Sequence, residues 1–550
     1  MQAPNKRRYI AILGSIMSGL GKGILTASIC KLLQLKGYKV VPLKFDGYLN
    51  VDCGTMNPFR HGEVFVLDDG SEVDMDFGTY ERFLGIPMTK FSSITGGKIF
   101  QHLIQKEREG RFLGRDVQII PHLTDELKDW IRRLGDETNA DFVVIEVGGT
   151  VGDLENSYFI EAIRQLSYEE KYFMTIQLTR VPSLTKGEPK TKPTQHANRL
   201  IQSLGLRPDA IVCREDEPLS AEAIEKIALF ANIKPEFVYD DPTVSTIYEL
   251  PIILNKQGIM RAISSKLDVD ETPPDLSSWS SLVNRIISPS NGEVHIALVG
   301  KYTSTRDAYA SVYESIIHAA AHYNVKPVID FVESTLIEES GPQLLAKYNG
   351  IIVPGGFGKR GIEGKIAAIN CARTNNIPYL GLCLGMQLMV VEYARNVLGW
   401  DDAHTTEFST ETKHPVIDLL PDQKFIDRKG GTMRLGSYTM HVFPGTTAYS
   451  YYGSEFVDER HRHRYEVNPE FVPDLEEHGL VISGRHKDSG IVEMVEWPNG
   501  LGIGTQAHPE FKSRLEKPAP LFLFLIDAAI KKRDTQNSTE RSKEPPLQCQ

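Results

Sequence analysis

Two stretches of the chain begin with a short apolar run that ends in glycine: YIAILGS (9–15) and VHIALVGKY (294–302). Two further runs, DFVVIEVGG (141–149) and YNGIIVPGG (348–356), show no polar alternation, as expected of strands buried on both faces of a parallel sheet. Between such runs the spacing turns helical. GKGILTASICKLLQLKG (21–37) sets Leu25, Ile29, Leu32 and Leu33 on one face and stops at a glycine. This alternation predicts βαβ units, hence an α/β chain of two doubly wound domains on mainly parallel sheets. Residues 271–293, ETPPDLSSWSSLVNRIISPSNGE, are rich in Ser, Pro and Asn and are expected to be an exposed linker. That places one domain at 1–270 and another at 294–530. The tail 531–550 has almost no apolar content and is expected to be disordered.

Composition narrows the function. A chain of 550 residues exceeds one ordinary hydrophobic core, in line with two domains. A net charge of −11 argues against a nucleic-acid coat or a polybasic membrane binder, so anionic ligands need local basic pockets. The cysteines at 30, 53, 213, 371, 383 and 549 form no CxxC pair, a poor disulfide or zinc framework that fits a reducing compartment. Lys6-Arg7-Arg8 before YIAIL lacks the apolar length of a signal peptide, and no segment is long enough to span a membrane. The expected location is the cytoplasm.

Candidate chemistry appears directly after the first strand, in GSIMSGLGKG (14–23). Small residues let backbone N–H groups approach phosphates, a helix N-terminus adds its positive dipole end, and Lys22 supplies a mobile charge. The motif departs from the usual phosphate loop. Ile16 stands five residues before Gly21, and Gly23 follows Lys22 where a hydroxyl would ligate Mg²⁺. The metal therefore needs other oxygen ligands, with candidates in DDGSEVDMD (68–76) and in Glu146 at the end of DFVVIE. Lys44, Lys190 and Lys192 could bind further phosphates, and Gln195 could read a base edge.

In the second half, GLCLGMQ (381–387) sets Cys383 between glycines after an apolar run. A cysteine there is by default a small hydrophobe. Three features favour a nucleophile instead. The glycines allow a tight strand-to-helix turn, the helix N-terminus favours thiolate, and QAHPEF (506–511) brings His508 as base with Glu510 to orient it. PGGFGKRG (354–361) adds a glycine turn whose N–H groups suit an oxyanion. RHRHR (460–464), by charge alone, reads as a solvated basic patch.

These strings, with HGEVFVLDDG, EVGGTVGDLE, GEPKTKPTQH and DERHRHRYEVN, resemble the CTP synthase family over nearly the whole chain. The resemblance implies a P-loop-like amidoligase domain joined to a class I triad glutamine amidotransferase domain. It implies ATP-dependent amination of UTP to CTP through a 4-phosphorylated intermediate, with ammonia from L-glutamine passed between domains. ATP is placed at Gly19, Leu20, Gly21, Lys22, Gly23 and Ile24, and Mg²⁺ at Asp76 and Glu146. The pyrimidine nucleotide is placed at Ser18, Asp153, Leu154, Glu155, Lys190, Thr191, Lys192, Pro193, Thr194, Gln195 and Lys226, and Lys44 where phosphoryl transfer occurs. For glutamine, the resemblance assigns Gly356 and Leu384 to the oxyanion, and Gly385, Met386, Gln387, Glu407 and Arg464 to contacts. His61 and Val64 fall near the ammonia entrance. GTP activation, with Arg360 as its expected place, CTP inhibition, a homotetramer and filaments are further implications.

Two positions depart from the family pattern: Ser15 stands where glycine is usual, and Gly47 where proline is usual and is expected to loosen the loop beside Lys44. A cobyrinate-type amide synthase is the nearest alternative, but it gives no reason for GEPKTKPTQH or HGEVFVLDDG. A ParA-like switch ATPase leaves the triad idle, and a degenerate filament former would not keep Cys383, His508, Glu510 and Lys22.

Overall fold

A computed structural model describes residues 7–15, 17–183, 189–303, 305–356, 358–419 and 433–541. The chain divides into two compact units. Residues 1–53 and 79–283 form the first; residues 54–78 and 284–550 form the second. The sequence division at 270 assigned 54–78 to the first half, whereas its contacts lie in the second unit.

In chain order the first nine strands are β1 (Arg8–Gly14), β2 (Val40–Asp46), β3 (Phe65–Val66), β4 (Glu72–Val73), β5 (Ser93–Thr95), β6 (Phe142–Val147), β7 (Phe173–Arg180), β8 (Ala210–Glu215) and β9 (Val238–Pro242). The first unit is a seven-stranded sheet of order β5-β2-β6-β1-β7-β8-β9, and its neighbours pair in parallel. β6 is buried along its whole length, which explains the run DFVVIEVGG without alternation. The helix Lys22–Leu35 buries Leu25, Ile29, Leu32 and Leu33 completely, about 2 kcal/mol of transfer free energy each.

Residues 271–293 are not simply an exposed linker. They carry the helix Ser277–Ile287, in which Trp279 and Val283, four apart, are buried. The Trp279 indole N–H donates to Tyr248 O at 2.9 Å, and the Lys31 ammonium lies 4.7 Å from its ring centroid. One buried aromatic outweighs the Ser-rich composition around it.

The second unit adds β10 (Glu293–Gly300), β11 (Lys326–Glu333), β12 (Gly350–Val353), β13 (Tyr379–Leu382), β14 (His404–Thr405), β15 (Pro415–Leu419), β16 (Arg434–Val442), β17 (Phe456–His463), β18 (Tyr465–Val467), β19 (Val481–His486), β20 (Val492–Glu496) and β21 (Gly502–Thr505). Its nine-stranded sheet runs β11-β10-β12-β13-β21-β20-β19-β16-β17. The first five strands pair in parallel, and the remainder continue antiparallel. Helices Ile362–Thr374 and Leu384–Asn396 cover one face, and Ala310–Tyr323 with Pro520–Arg541 the other.

The expected disordered tail is helical to Arg541. Backbone carbonyls hold it: Arg533 donates to Asn291 O at 2.8 Å and Lys532 to Asn376 O at 3.2 Å. Residues 542–550 lie outside the described residues. Among the described residues, no helix is long and apolar enough to cross a membrane.

Candidate functional site

Cys383 sits between β13 and the helix Leu384–Asn396 with φ 52° and ψ −104°, a region that side chains other than glycine rarely enter. Holding such a residue costs about 1–3 kcal/mol, and it lifts the thiol out of the line of the strand. The turn closes because its glycines have no side chains. A Cβ at Gly385 would lie 2.0 Å from Val353 O, and one at Gly381 2.7 Å from the Gly385 carbonyl carbon. Gly385→Ala therefore forces backbone apart. The expected result is about 3 kcal/mol of lost stability in urea unfolding.

The Cys383 thiol lies 3.8 Å from Arg462 O, and the Gln506 amide N–H donates to Sγ at 3.6 Å. His508 Nδ1 meets Glu510 Oε1 at 2.7 Å, and the ring stacks on Phe511 with centroids 5.0 Å apart. Burial pulls the imidazolium down, but the charges of Glu510 and Cys383 outweigh it and carry His508 up to about 10. A protonated His508 is an acid for a leaving amine, and the neutral ring it leaves behind is a base for water.

These groups open on a cavity of about 450 Å³ whose wall includes Gly355, Gly356, Glu407 and Arg464. Burial pushes the Glu407 carboxyl up, against the Gly358 N–H and the charges of Lys301 and Arg464. A carboxylate and a guanidinium facing one cavity suit an amino acid's ammonium and carboxylate. Gln387 sits deeper. Its amide donates to Tyr465 O at 3.0 Å and to Gln506 Oε1 at 3.2 Å, so its donors serve protein groups.

Part of the cavity wall comes from far away in sequence: Gly54, Met56, Glu63 and Val64. Both Glu63 carboxylate oxygens accept the Ser311 N–H at 3.0 Å. Asp68 pairs with Arg460 at 2.6 Å and Glu72 with Arg462 at 2.8 Å. RHRHR is therefore not a solvated patch, since Arg460, His461 and His463 are buried. Asp68 and Glu72, offered as metal candidates by their charge, are instead the counter-ions of arginines. Opposite charge in DDGSEVDMD and RHRHR was the signal available in the sequence. Val64 lies in this wall, whereas His61 ends the exposed helix Pro58–His61.

In the first unit, β1 delivers the chain to Gly19 and Gly21, both at positive φ, and Gly21 caps the helix that Lys22 begins. The Lys22 side chain passes over Gly14, where a Cβ would lie 2.7 Å from Nζ, and donates to Gly149 O at 2.8 Å. Ser15 is buried and donates to Leu178 O at 3.1 Å, so its hydroxyl is structural. Ile16 lies outside the described residues. Lys44 and Glu146 stand opposite each other on β2 and β6, with Lys44 Nζ 3.7 Å from Asp46 and Glu146 accepting the Tyr80 hydroxyl. A Cβ at Gly47 would lie 2.9 Å from Glu155 O, so the loop beside Lys44 packs against the segment carrying Asp153, Leu154 and Glu155.

The remaining candidates divide by exposure. Ser18, Asp153, Leu154, Glu155, Lys192 and Lys226 are exposed. Thr191 and Thr194 are buried, with Thr194 bonded to Thr179 at 3.2 Å, and Gln195 donates to Thr191 at 3.1 Å. Among the described residues, no three His, Cys, Asp or Glu side chains gather as a metal cluster. Glu146 is buried near the end of β6, and Asp76 opens the helix Asp76–Leu84; each carboxylate is a hard oxygen donor of the kind Mg²⁺ takes.

Residues 8–269 match the family "CTP synthase N-terminus" and residues 305–528 the family "Glutamine amidotransferase class-I". A CTP synthase from Sulfolobus acidocaldarius is 50% identical over 528 residues, covering 95% of this chain and 99% of the relative. One from Methanocaldococcus jannaschii is 48% identical over 534 residues, covering 95% and 98%. The structure titled Trypanosoma brucei CTPS glutaminase domain with bound acivicin is 40% identical with a TM-score of 0.41, covering 43% of this chain and 94% of that one.

Proposed function

With the chain a member of the CTP synthase family, we propose how its residues divide the glutamine-dependent amination of UTP. Identity over 95% of the chain decides against a cobyrinate-type synthase. The observation that carries the division is the strained Cys383 turn opening, with the His508–Glu510 pair, on the cavity that Glu407 and Arg464 share.

In the second unit, Arg464 takes the substrate carboxylate and Glu407 its ammonium, with Met386 and Gln387 supporting the pocket. The Cys383 sulfur attacks the side-chain amide carbon, and the oxyanion is received by the N–H groups of Gly356 and Leu384. His508, oriented by Glu510, gives its proton to the amide nitrogen, and ammonia leaves. Water then adds to the glutamyl thioester with His508 as base, releasing glutamate and restoring the thiol.

In the first unit, residues 19–24 bind ATP, and Ser18 contacts the pyrimidine nucleotide. Asp153, Leu154, Glu155, Lys190 to Gln195 and Lys226 hold the pyrimidine nucleotide. The uracil 4-oxygen is a poor leaving group. Transfer of the ATP γ-phosphoryl to it gives ADP and a phosphate ester, and ammonia displaces that phosphate at carbon 4. Lys22 and Lys44 offset the charge on the transferring group. Glu146 would hold Mg²⁺, which would supply further charge neutralisation when bound. GTP activation through Arg360, CTP inhibition, a homotetramer, filaments and a cytoplasmic location belong to the same reading.

The test is CTP formation, followed by absorbance, from UTP, ATP and Mg²⁺ with glutamine or with ammonium chloride. Wild-type protein is expected to make CTP from both nitrogen sources, with one ADP per CTP. Glutamine cleavage without any CTP, with GTP present, would overturn the assignment of UTP.

A further inference from the structure

Helix Ile362–Thr374 carries a lysine, Lys365, that is wholly buried. An ammonium in that position is costly unless it serves something nearby. Its Nζ donates to Pro354 O at 3.4 Å, and a Cβ built on Gly356 would lie 3.7 Å from it. The same short turn has a second face. A Cβ on Gly355 would lie 3.0 Å from His508 Cε1 and 3.6 Å from Cys383 Cβ. The turn is thus held between the nucleophile and base on one side and a buried lysine on the other. Burial, then the like charge of Lys301, pushes the Lys365 ammonium down to about 7, against the pull of Cys383 and Glu333.

We propose that Lys365 is a positioning residue for glutamine cleavage: it fixes the Pro354–Gly356 turn so that Gly356 presents its N–H to the oxyanion, and adds positive charge as that oxyanion forms. The inference rests on the proposed roles of Cys383 and Gly356. Its effect belongs to the transition state, because the substrate's ammonium and carboxylate are held elsewhere, by Glu407 and Arg464. Removing Lys365 should therefore lower kcat for glutamine and leave KM nearly unchanged.

The experiment uses the full chain with Lys365→Met, which matches the stem without the charge, and Lys365→Gln, which keeps a donor for Pro354. Glutamine kcat is expected to fall about 10- to 100-fold in Lys365→Met with KM within about twofold, and Lys365→Gln to recover part of it. A second readout uses glutamate γ-semialdehyde. The Cys383 sulfur bonds to its aldehyde carbon, the thiol proton goes to the oxygen, and a tetrahedral adduct forms in place of the transition state. Its affinity is expected to weaken by the same factor as kcat/KM. Ammonia-dependent CTP formation reports whether the protein is folded. Wild-type kcat and semialdehyde affinity in Lys365→Met would overturn the proposal. So would loss of both glutamine- and ammonia-dependent activity in both variants, which would make the lysine a support of the fold. If Cys383→Ala, assayed in parallel, cleaves glutamine normally, the underlying reading fails instead.

Discussion

Replacing Cys383 by alanine is expected to abolish CTP formation from glutamine, by about 10⁴-fold or more, while CTP formation from ammonium chloride continues near the wild-type rate. The expectation follows from the covalent step. Without sulfur there is no thioester, and the oxyanion groups then have no tetrahedral intermediate to receive. The alanine also fits. Cys383 occupies its position by backbone strain, not by packing volume, and φ 52° is no harder for alanine than for cysteine. Parallel assays with the two nitrogen sources decide the matter. Equal loss with both would place Cys383 in folding or in amination; retained glutamine activity would remove it from the chemistry.

Replacing Lys22 by alanine is expected to have the opposite signature: CTP formation falls at least about 10³-fold with either nitrogen source, equivalent to about 4 kcal/mol of lost stabilisation. Glutamine itself is still cleaved, because Cys383, His508 and Glu510 are untouched. One resting contact of Lys22, with Gly149 O, is with a neutral carbonyl. A phosphate in the loop is the stronger partner for an ammonium, so the side chain is well placed to exchange one for the other. Coupled assays of ADP release and CTP absorbance check both parts. A variant that keeps more than about a tenth of the wild-type rate would move the phosphoryl-transfer role away from Lys22.

Local patterns in the sequence carried much of this. The four apolar positions 25, 29, 32 and 33 anticipated the buried face of the first helix, and the glycines around Cys383 anticipated its turn. What stayed hidden depends on pairing between distant residues. The opposite charge of the two strings is the one hint that Asp68 and Glu72 meet Arg460 and Arg462, and it does not pair them, since each string alone reads as hydrated charge. Trp279 was masked by the serines around it, and the helix beyond 531 by a polar composition that its carbonyl contacts override. Lys365 gave no signal because periodicity ranks a lysine as exposed, and only tertiary packing buries it.

The lodging of residues 54–78 among those after 284 bears on how such a chain can be shuffled. A crossover between related genes near residue 284 would look like a clean exchange of one catalytic half for another. It would in fact deliver a thiol pocket cut off from the wall that was selected with it, and two arginines cut off from Asp68 and Glu72. Hybrids that keep glutamine-driven activity are therefore those whose two parents match along this short early stretch. A substitution at Asp68 or Glu72 is therefore expected to need a matching one in RHRHR, although nearly four hundred positions separate them.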